Sequence, residues 1–200
     1  MGISIFVLFC VSVFPPAVCW AQGWNRKGKT EVFAFFRRMD GQEDEWFQAV
    51  DVNIDSTFIG GVGIGYNFSE YLNLNMDVWY GSIDMKLEPV PVFGSGPPAA
   101  QGNANLFAAD LNLDYNVLKS RFTPVLSGGI GFINFDGDRL DSGSEFSQRK
   151  FSYNLGAGLR WDIAHHVFMK AMFKHTVTEL QYVSERISFD SIGLNIGYLF

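Results

Sequence analysis

The sequence predicts an all-β protein, an eight-stranded antiparallel up-and-down transmembrane β-barrel, on three observations. Larger apolar side chains recur at every second position through segments of about ten residues, the period of a strand with one apolar face. The composition, 48% hydrophobic with 20 Phe and 21 Gly, suits neither a disordered chain nor an ordinary helical domain. The connections between segments alternate between short and long, as strands running up and down in pairs require.

Residues 1–21 stand apart from this pattern. They carry no ionisable side chain, run apolar through IFVLFCVSVF, reach two prolines at 15 and 16 and end on Ala21, which predicts an export signal peptide cleaved after Ala21. The two prolines argue against a helical membrane anchor, and bulky Val18 before Cys19 argues against a lipid-modified cysteine. The expected domain organisation is therefore a signal peptide at 1–21 and a barrel domain at 22–200. Both cysteines, Cys10 and Cys19, fall in the signal, so no disulfide framework is expected in the mature chain. The net charge of −6 is untouched by cleavage and argues against nucleic acid as a partner.

The first segment, KTEVFAFFRR at 29–38, carries Phe or Val on both rows, and its phase stays open. In TFIGGVGIGYNF the large apolar residues are Phe58, Val62, Ile64, Tyr66 and Phe68, opposed mostly by Gly. YLNLNMDVWYGS continues with Leu72, Leu74, Met76, Val78 and Tyr80 against Asn73, Asn75 and Asp77, and only SerGluTyr at 69–71 separates the two runs, which reads as a hairpin. LFAADLNLDYNV, RFTPVLSGGIGF, KFSYNLGAGLRWD and VFMKAMFKHTV repeat the alternation, and residues 187–200 close it. Short connections are expected at 69–71, 118–121 and 163–166, and long ones near 40–56, 84–104, 136–149 and 179–186.

Period alone does not say which face looks outward, and a soluble barrel of lipocalin type would turn the apolar face inward. The polar rows are rich in Gly, Ser and Asn, which fits a narrow interior better than a water-facing coat. Aromatics also gather at both ends of the strands: Phe68, Phe122, Trp161, Tyr198 and Phe200 beside the short turns, and Phe58, Tyr80, Phe132 and Tyr153 towards the long loops. Two such girdles are what a barrel in lipid shows. The last ten residues, SIGLNIGYLF, place Ile192, Leu194, Ile196, Tyr198 and Phe200 in strict alternation and finish on an aromatic. This ending resembles the assembly signal of bacterial outer-membrane barrels, and the chain as a whole resembles the small eight-stranded barrels of the OmpA, OmpX and opacity-protein kind. The resemblance implies residence in the outer membrane of the Gram-negative envelope and partnership with its lipid and lipopolysaccharide. It further implies recognition by the barrel-insertion machinery through the final strand, and a monomer. Full-length OmpA continues past its barrel and this sequence does not, so no peptidoglycan-binding activity is implied.

Two groups of residues could carry chemistry. Taking the polar rows as interior puts Asp77, Asp110, Asp114 and Asp162 inside with Arg160, Lys170 and Lys174. An internal network of ion pairs is expected from them, because buried charges need partners and eight strands leave room only for side chains; a narrow channel is the alternative. On the outward face, a turn around 182 and 183 sets His175 opposite Asp190 with Ser188 one diagonal away. A nucleophile, a base and an orienting carboxylate at a lipid surface would suit an acyl hydrolase of lipid A. Outer-membrane lipid A deacylases, however, carry their Ser two residues after the His, where this chain has Val177. The expectation is thus a polar interfacial patch rather than a catalytic triad.

Metal chemistry is not expected. FDGDRLDSGSEF offers Asp136, Asp138 and Asp141 but puts Ser147 where a calcium loop needs Glu, and His165 and His166 have no third ligand nearby in sequence. The acidic run Asp40, Glu43, Asp44, Glu45, Asp51 and Asp55 reads as a solvated loop. EPVPVFGSGPPAAQGN at 88–103, with four prolines, reads as an exposed mobile loop in which Val90, Val92 and Phe93 could meet a partner. The functional expectation is a non-enzymatic surface protein of structural or adhesive role, without cofactor; the alternatives are the lipid A hydrolase and the narrow channel.

Overall fold

The computed structural model describes residues 24–41, 50–54, 56–89, 100–138, 145–180 and 185–200. The segment read as a signal, 1–21, lies outside these residues, as do Glu43, Asp44, Glu45, Asp55, Val90, Val92, Phe93 and Asp141. Nine strand segments follow one another: β1 (Thr30–Gly41), β2 (Val50–Ile54), β3 (Thr57–Asn67), β4 (Leu72–Pro89), β5 (Ala100–Asn116), β6 (Phe122–Asp138), β7 (Glu145–Ala164), β8 (Val167–Leu180) and β9 (Glu185–Leu199). From β3 to β9 each strand pairs antiparallel with the next, and β1 pairs with both β3 and β9, closing the sheet on itself. Segments β2 and β3 meet the same edge of β4, at Met85–Pro89 and Asn73–Gly81 respectively, so the nine segments make eight barrel strands. Closure leaves no open edge in the barrel wall, the condition for a sheet to cross a bilayer.

The open phase of β1 is decided by its neighbour. Glu31, Phe33, Phe35, Arg37 and Met39 point inward and are buried, while Val32, Phe36 and Arg38 point out. Phe33 lies opposite Gly63 and Phe35 opposite Gly61. A Cβ added at Gly63 would come 2.3 Å from the Phe33 ring, and one at Gly61 2.5 Å from the Phe35 ring. The glycine row of β3 is thus the space into which the inward rings of β1 fit.

Apolar side chains face out on every barrel strand. On seven of them the last exposed apolar side chain towards the long-loop end is aromatic: Phe36, Phe58, Tyr80, Phe107, Phe132, Phe151 and Phe173, with Ile192 on the eighth. Two residues further out stand Arg38, Ser56, Ser82, Asn105, Asn134, Arg149, His175 and Asp190. From this boundary to Tyr66–Phe68, Leu72, Tyr115, Phe122, Trp161 and Tyr198–Phe200 at the short-turn end, the apolar stretch matches the 9–11 residues a tilted strand needs to span lipid on most strands. The outward placement of this belt excludes a lipocalin-type ligand barrel.

Two sequence expectations are corrected. The long connections near 84–104 and 136–149 are largely strand, since β4 runs to Pro89, β5 starts at Ala100, β6 runs to Asp138 and β7 starts at Glu145. The interior is also not polar throughout. Towards the long-loop end it is an apolar tier of Met39, Ile59, Trp79, Ile83, Leu106, Ile133, Phe135 and Phe189. The pattern hid this tier because its members sit beside outward apolar residues, as in Leu106–Phe107 and Phe132–Ile133, so both rows read alike.

The short turns are built from local hydrogen bonds. Ser69 Oγ accepts from the backbone N–H groups of Tyr71 (3.2 Å) and Leu72 (3.0 Å), and Thr123 Oγ1 accepts from Leu118 N–H (2.8 Å). His166 meets the Leu199 carbonyl at 2.8 Å through Nδ1 and stacks on Tyr198 at 5.3 Å. Residues 24–29, ahead of β1, then tie these turns together. The backbone N–H of Arg26 donates to Glu70 in the first turn, and its guanidinium donates to the carbonyls of Leu118 (3.4 Å) and Ser120 (2.5 Å) in the second and to Asp162 beside the third. Trp24 stacks on His165 at 4.8 Å beneath the Arg121 guanidinium at 4.5 Å. Gly28 turns the strap into β1 with a φ of 80°, open to glycine without strain, and donates to Asn67 O at 2.7 Å.

Candidate functional site

Ten charged side chains are buried inside the barrel among the described residues: Glu31, Asp77, Asp110, Asp114 and Asp162 against Arg26, Arg37, Arg160, Lys170 and Lys174. All seven interior charges read from the sequence are among them. Glu31 and Arg37 come from the strand whose phase the sequence left open, and Arg26 comes from the strap. With these additions the expected four against three becomes five against five, which removes the net charge a low-dielectric interior would resist.

The lower part of this set, near the short turns, is a continuous chain. Arg26 bridges to Asp162 at 2.6 Å, Arg160 bridges to Asp162 at 2.8 Å and to Glu31 at 2.6 Å, and Lys170 links Glu31 at 3.3 Å to Asp114 at 3.1 Å. Neutral donors complete it: Asn67 donates to Glu31 at 2.9 Å and Ser127 to Asp114 at 2.7 Å. Burial pushes the Arg26 guanidinium below its ordinary value, and Asp162 acts in the opposite sense. The aromatic floor adds to the hold on the cations, with Arg160 4.4 Å from the Phe168 ring centroid.

Higher up, Asp77 sits between Arg37 and Lys174, each at 3.5 Å. Asn112 braces this upper set, donating to Asp77 and accepting from Lys174 at 3.2 Å. Asp110 accepts from the Trp79 indole at 3.0 Å, where the charged zone meets the apolar tier.

The outward patch takes the register the sequence implied. His175 lies directly opposite Asp190, with Nδ1 2.7 Å from Oδ1 and both side chains about a third exposed. Ser188 lies opposite Val177, one pair further out on the same face. Asp40 of β1 is the other neighbour of Asp190 and accepts from Arg38 at 3.1 Å. The patch thus stands one step beyond the ring of outer aromatics, at the boundary of the apolar belt. Among the described residues no group of three or more His, Cys, Asp or Glu is arranged to hold a metal. His165 and His166 are engaged with Trp24 and with Leu199 and Tyr198, and Asp136 is exposed on β6.

A closed barrel of eight strands, apolar outside and charged within, defines a class: integral barrels of the outer membrane. The profile of the outer membrane protein beta-barrel domain family matches residues 40–200, and the chain belongs to that family. Among solved structures, the outer membrane protein OprG of Pseudomonas aeruginosa superposes with a TM-score of 0.62 at 13% identity, covering 88% of this chain and 97% of OprG. The outer membrane protein AlkL, determined in lipid bilayers, gives 0.57 at 20% identity over 94% of this chain and 95% of AlkL. The attachment invasion locus protein Ail of Yersinia pestis, solved with the heparin analogue sucrose octasulfate, gives 0.56 at 13% identity over 87% of this chain and 99% of Ail. At such identities the likeness speaks to fold alone. No curated protein matches the sequence.

Proposed function

We propose that this chain is a non-conducting outer-membrane barrel that serves the envelope as a structural and surface-interaction protein, acting through its outward end rather than through catalysis. The carrying observation is the filling of the interior: paired charges across the short-turn half and an apolar tier across the other. A dry apolar constriction opposes ion passage, and the ion pairs below it bind their partners rather than a permeating solute. Strands β4 to β7, of 17 to 20 residues, continue past the outer aromatic ring and offer a rigid stem for whatever contacts are made outside. Export through a signal cleaved after Ala21 and insertion read from Ile192, Leu194, Ile196, Tyr198 and Phe200 are part of this proposal. Purified protein in a planar bilayer is expected to give no discrete conductance steps, and reproducible unitary steps would overturn the plug. A strain with shortened outer loops is then expected to share the surface phenotype of the gene deletion.

The 2.7 Å contact between His175 and Asp190 supports a second reading, an interfacial acyl hydrolase with Ser188 as nucleophile. Its test is a Ser188→Ala strain: lipid A acylation by mass spectrometry identical to the parent removes it.

A further inference from the structure

Charge is distributed unevenly along the barrel axis. Inside, each of the five buried cations stands within 3.5 Å of a carboxylate. At the short-turn end, Lys27, Lys29, Lys119 and Arg121 lie beyond the apolar belt and are not buried. None of these four is within ion-pair distance of a described carboxylate. Among the described residues of that end, Glu70 is the one acidic side chain outside the interior, and it accepts from the backbone N–H of Arg26 at 3.0 Å. This end is therefore basic, although the chain as a whole carries −6.

The second short turn, residues 117–122, holds two of these cations beside exposed apolar side chains. Val117, Leu118 and Phe122 are 39%, 47% and 40% exposed, and they stand where the outward belt of β5 and β6 ends. Lys119 Nζ lies 5.0 Å from the Tyr71 ring, which stacks on outward Tyr115 at 6.2 Å. The Arg121 guanidinium lies 4.5 Å from Trp24. That contact uses the face of the group and leaves its edge N–H fork, the geometry that matches a phosphate. The backbone of the turn is fixed, since Arg26 donates to the carbonyls of Leu118 and Ser120, and Thr123 Oγ1 accepts from Leu118 N–H. The two cations are thus presented on a rigid tip.

We propose that this turn is a binding site for an anionic phospholipid of the leaflet at the short-turn end. Lys119 and Arg121 hold the phosphate of the headgroup, and Val117, Leu118 and Phe122 meet the acyl chains below it. The apolar trio selects a lipid over a soluble anion, because only a lipid covers it. The unpaired cations select a net negative headgroup over a zwitterionic one, whose own ammonium offsets the attraction of its phosphate. Lys27 and Lys29 add to the positive potential at the same end.

Native mass spectrometry of the full barrel, released from vesicles of equal phosphatidylglycerol and phosphatidylethanolamine, tests this. The wild type is expected to retain phosphatidylglycerol several-fold over phosphatidylethanolamine, and equal retention overturns the site. In a barrel carrying Lys119→Gln and Arg121→Gln the preference should fall to near unity. In one carrying Arg38→Gln and Arg149→Gln, two exposed cations towards the other end, it should stay as in the wild type. A preference that survives the first pair, or vanishes with the second, overturns the assignment to this turn. Should the first variant not fold, the wild type equilibrated at high salt reads the same contact: the preference should shrink as ions screen the cations, and one indifferent to salt overturns the proposal.

Discussion

Arg26 and Asp162 meet at 2.6 Å with both side chains fully buried, although 136 residues separate them in the chain. This contact locks the strap ahead of β1 onto the floor of the barrel. Replacing Arg26 by Met keeps much of the side-chain volume and removes the charge. Asp162 is then left with Arg160 alone, and two turn carbonyls lose a donor. Breaking a buried pair by removing one partner costs about 3–5 kcal/mol. Urea unfolding in detergent, followed by the heat-dependent gel shift of folded barrels, should show a loss of that size, and a loss below about 1 kcal/mol would mean the strap is not part of the cooperative fold.

Trp24 and His165 are expected to be coupled. The rings stack at 4.8 Å with an interplanar angle of 10°, and Arg121 covers the other side of the indole. In a double-mutant cycle with Trp24→Ala and His165→Ala, the coupling should be about 0.5 kcal/mol, the low end for aromatic pairs because His165 is exposed. Additive losses would assign Trp24 to packing against the turn as a whole.

Much of this architecture was legible because lipid enforces a one-sided rule. Strands such as β4 and β5 carry apolar residues on one row and Asn or Asp on the other, small polar side chains that fit a narrow interior better than a water-facing coat. What escaped the sequence has a common cause, namely rows that look alike. Phe33 and Phe35 fill the interior and Phe36 meets lipid, yet all are Phe, so the inward Glu31 and Arg37 could not be placed. Ile83, Leu106 and Ile133 were hidden in the same way. Arg26 belongs to no periodic segment at all, so no alternation placed it. The opposition of His175 and Asp190 was readable because placing the reversal of the chain around 182 and 183 sets the register of every pair behind it.

Glycines on the two faces are expected to respond oppositely to a methyl group. A Cβ at Gly193 would stand 2.1 Å from the Phe36 carbonyl oxygen and 2.6 Å from Arg37 Cα, both backbone atoms of the adjacent strand. At Gly128 the nearest atom would be Leu155 Cδ2 at 3.5 Å, an ordinary contact on the lipid face. Gly193→Ala should therefore cost about 1–3 kcal/mol, the range of overpacked cores, or block folding. Gly128→Ala should be nearly neutral in the same unfolding assay, and equal effects at the two sites would contradict the assignment of faces.

The belt itself makes the sharpest claim about the bilayer. Leu155 is 66% exposed and lies midway along the outward row of β7 between Phe151 and Trp161, whereas Ile163 stands at the short-turn end of the same row. Arginine on the lipid face of a barrel costs about 2–4 kcal/mol at the midplane and about 0–1 near an interface. Leu155→Arg should thus lower stability in lipid vesicles by several times more than Ile163→Arg, although both add the same charge to an exposed position. In a water-facing barrel both substitutions would be close to neutral. The ratio of the two losses, measured in vesicles of defined thickness, reads the depth of the belt directly. A thinner bilayer should shrink the Leu155→Arg cost while leaving that of Ile163→Arg nearly unchanged, because only the first side chain has to reach across hydrocarbon to find water.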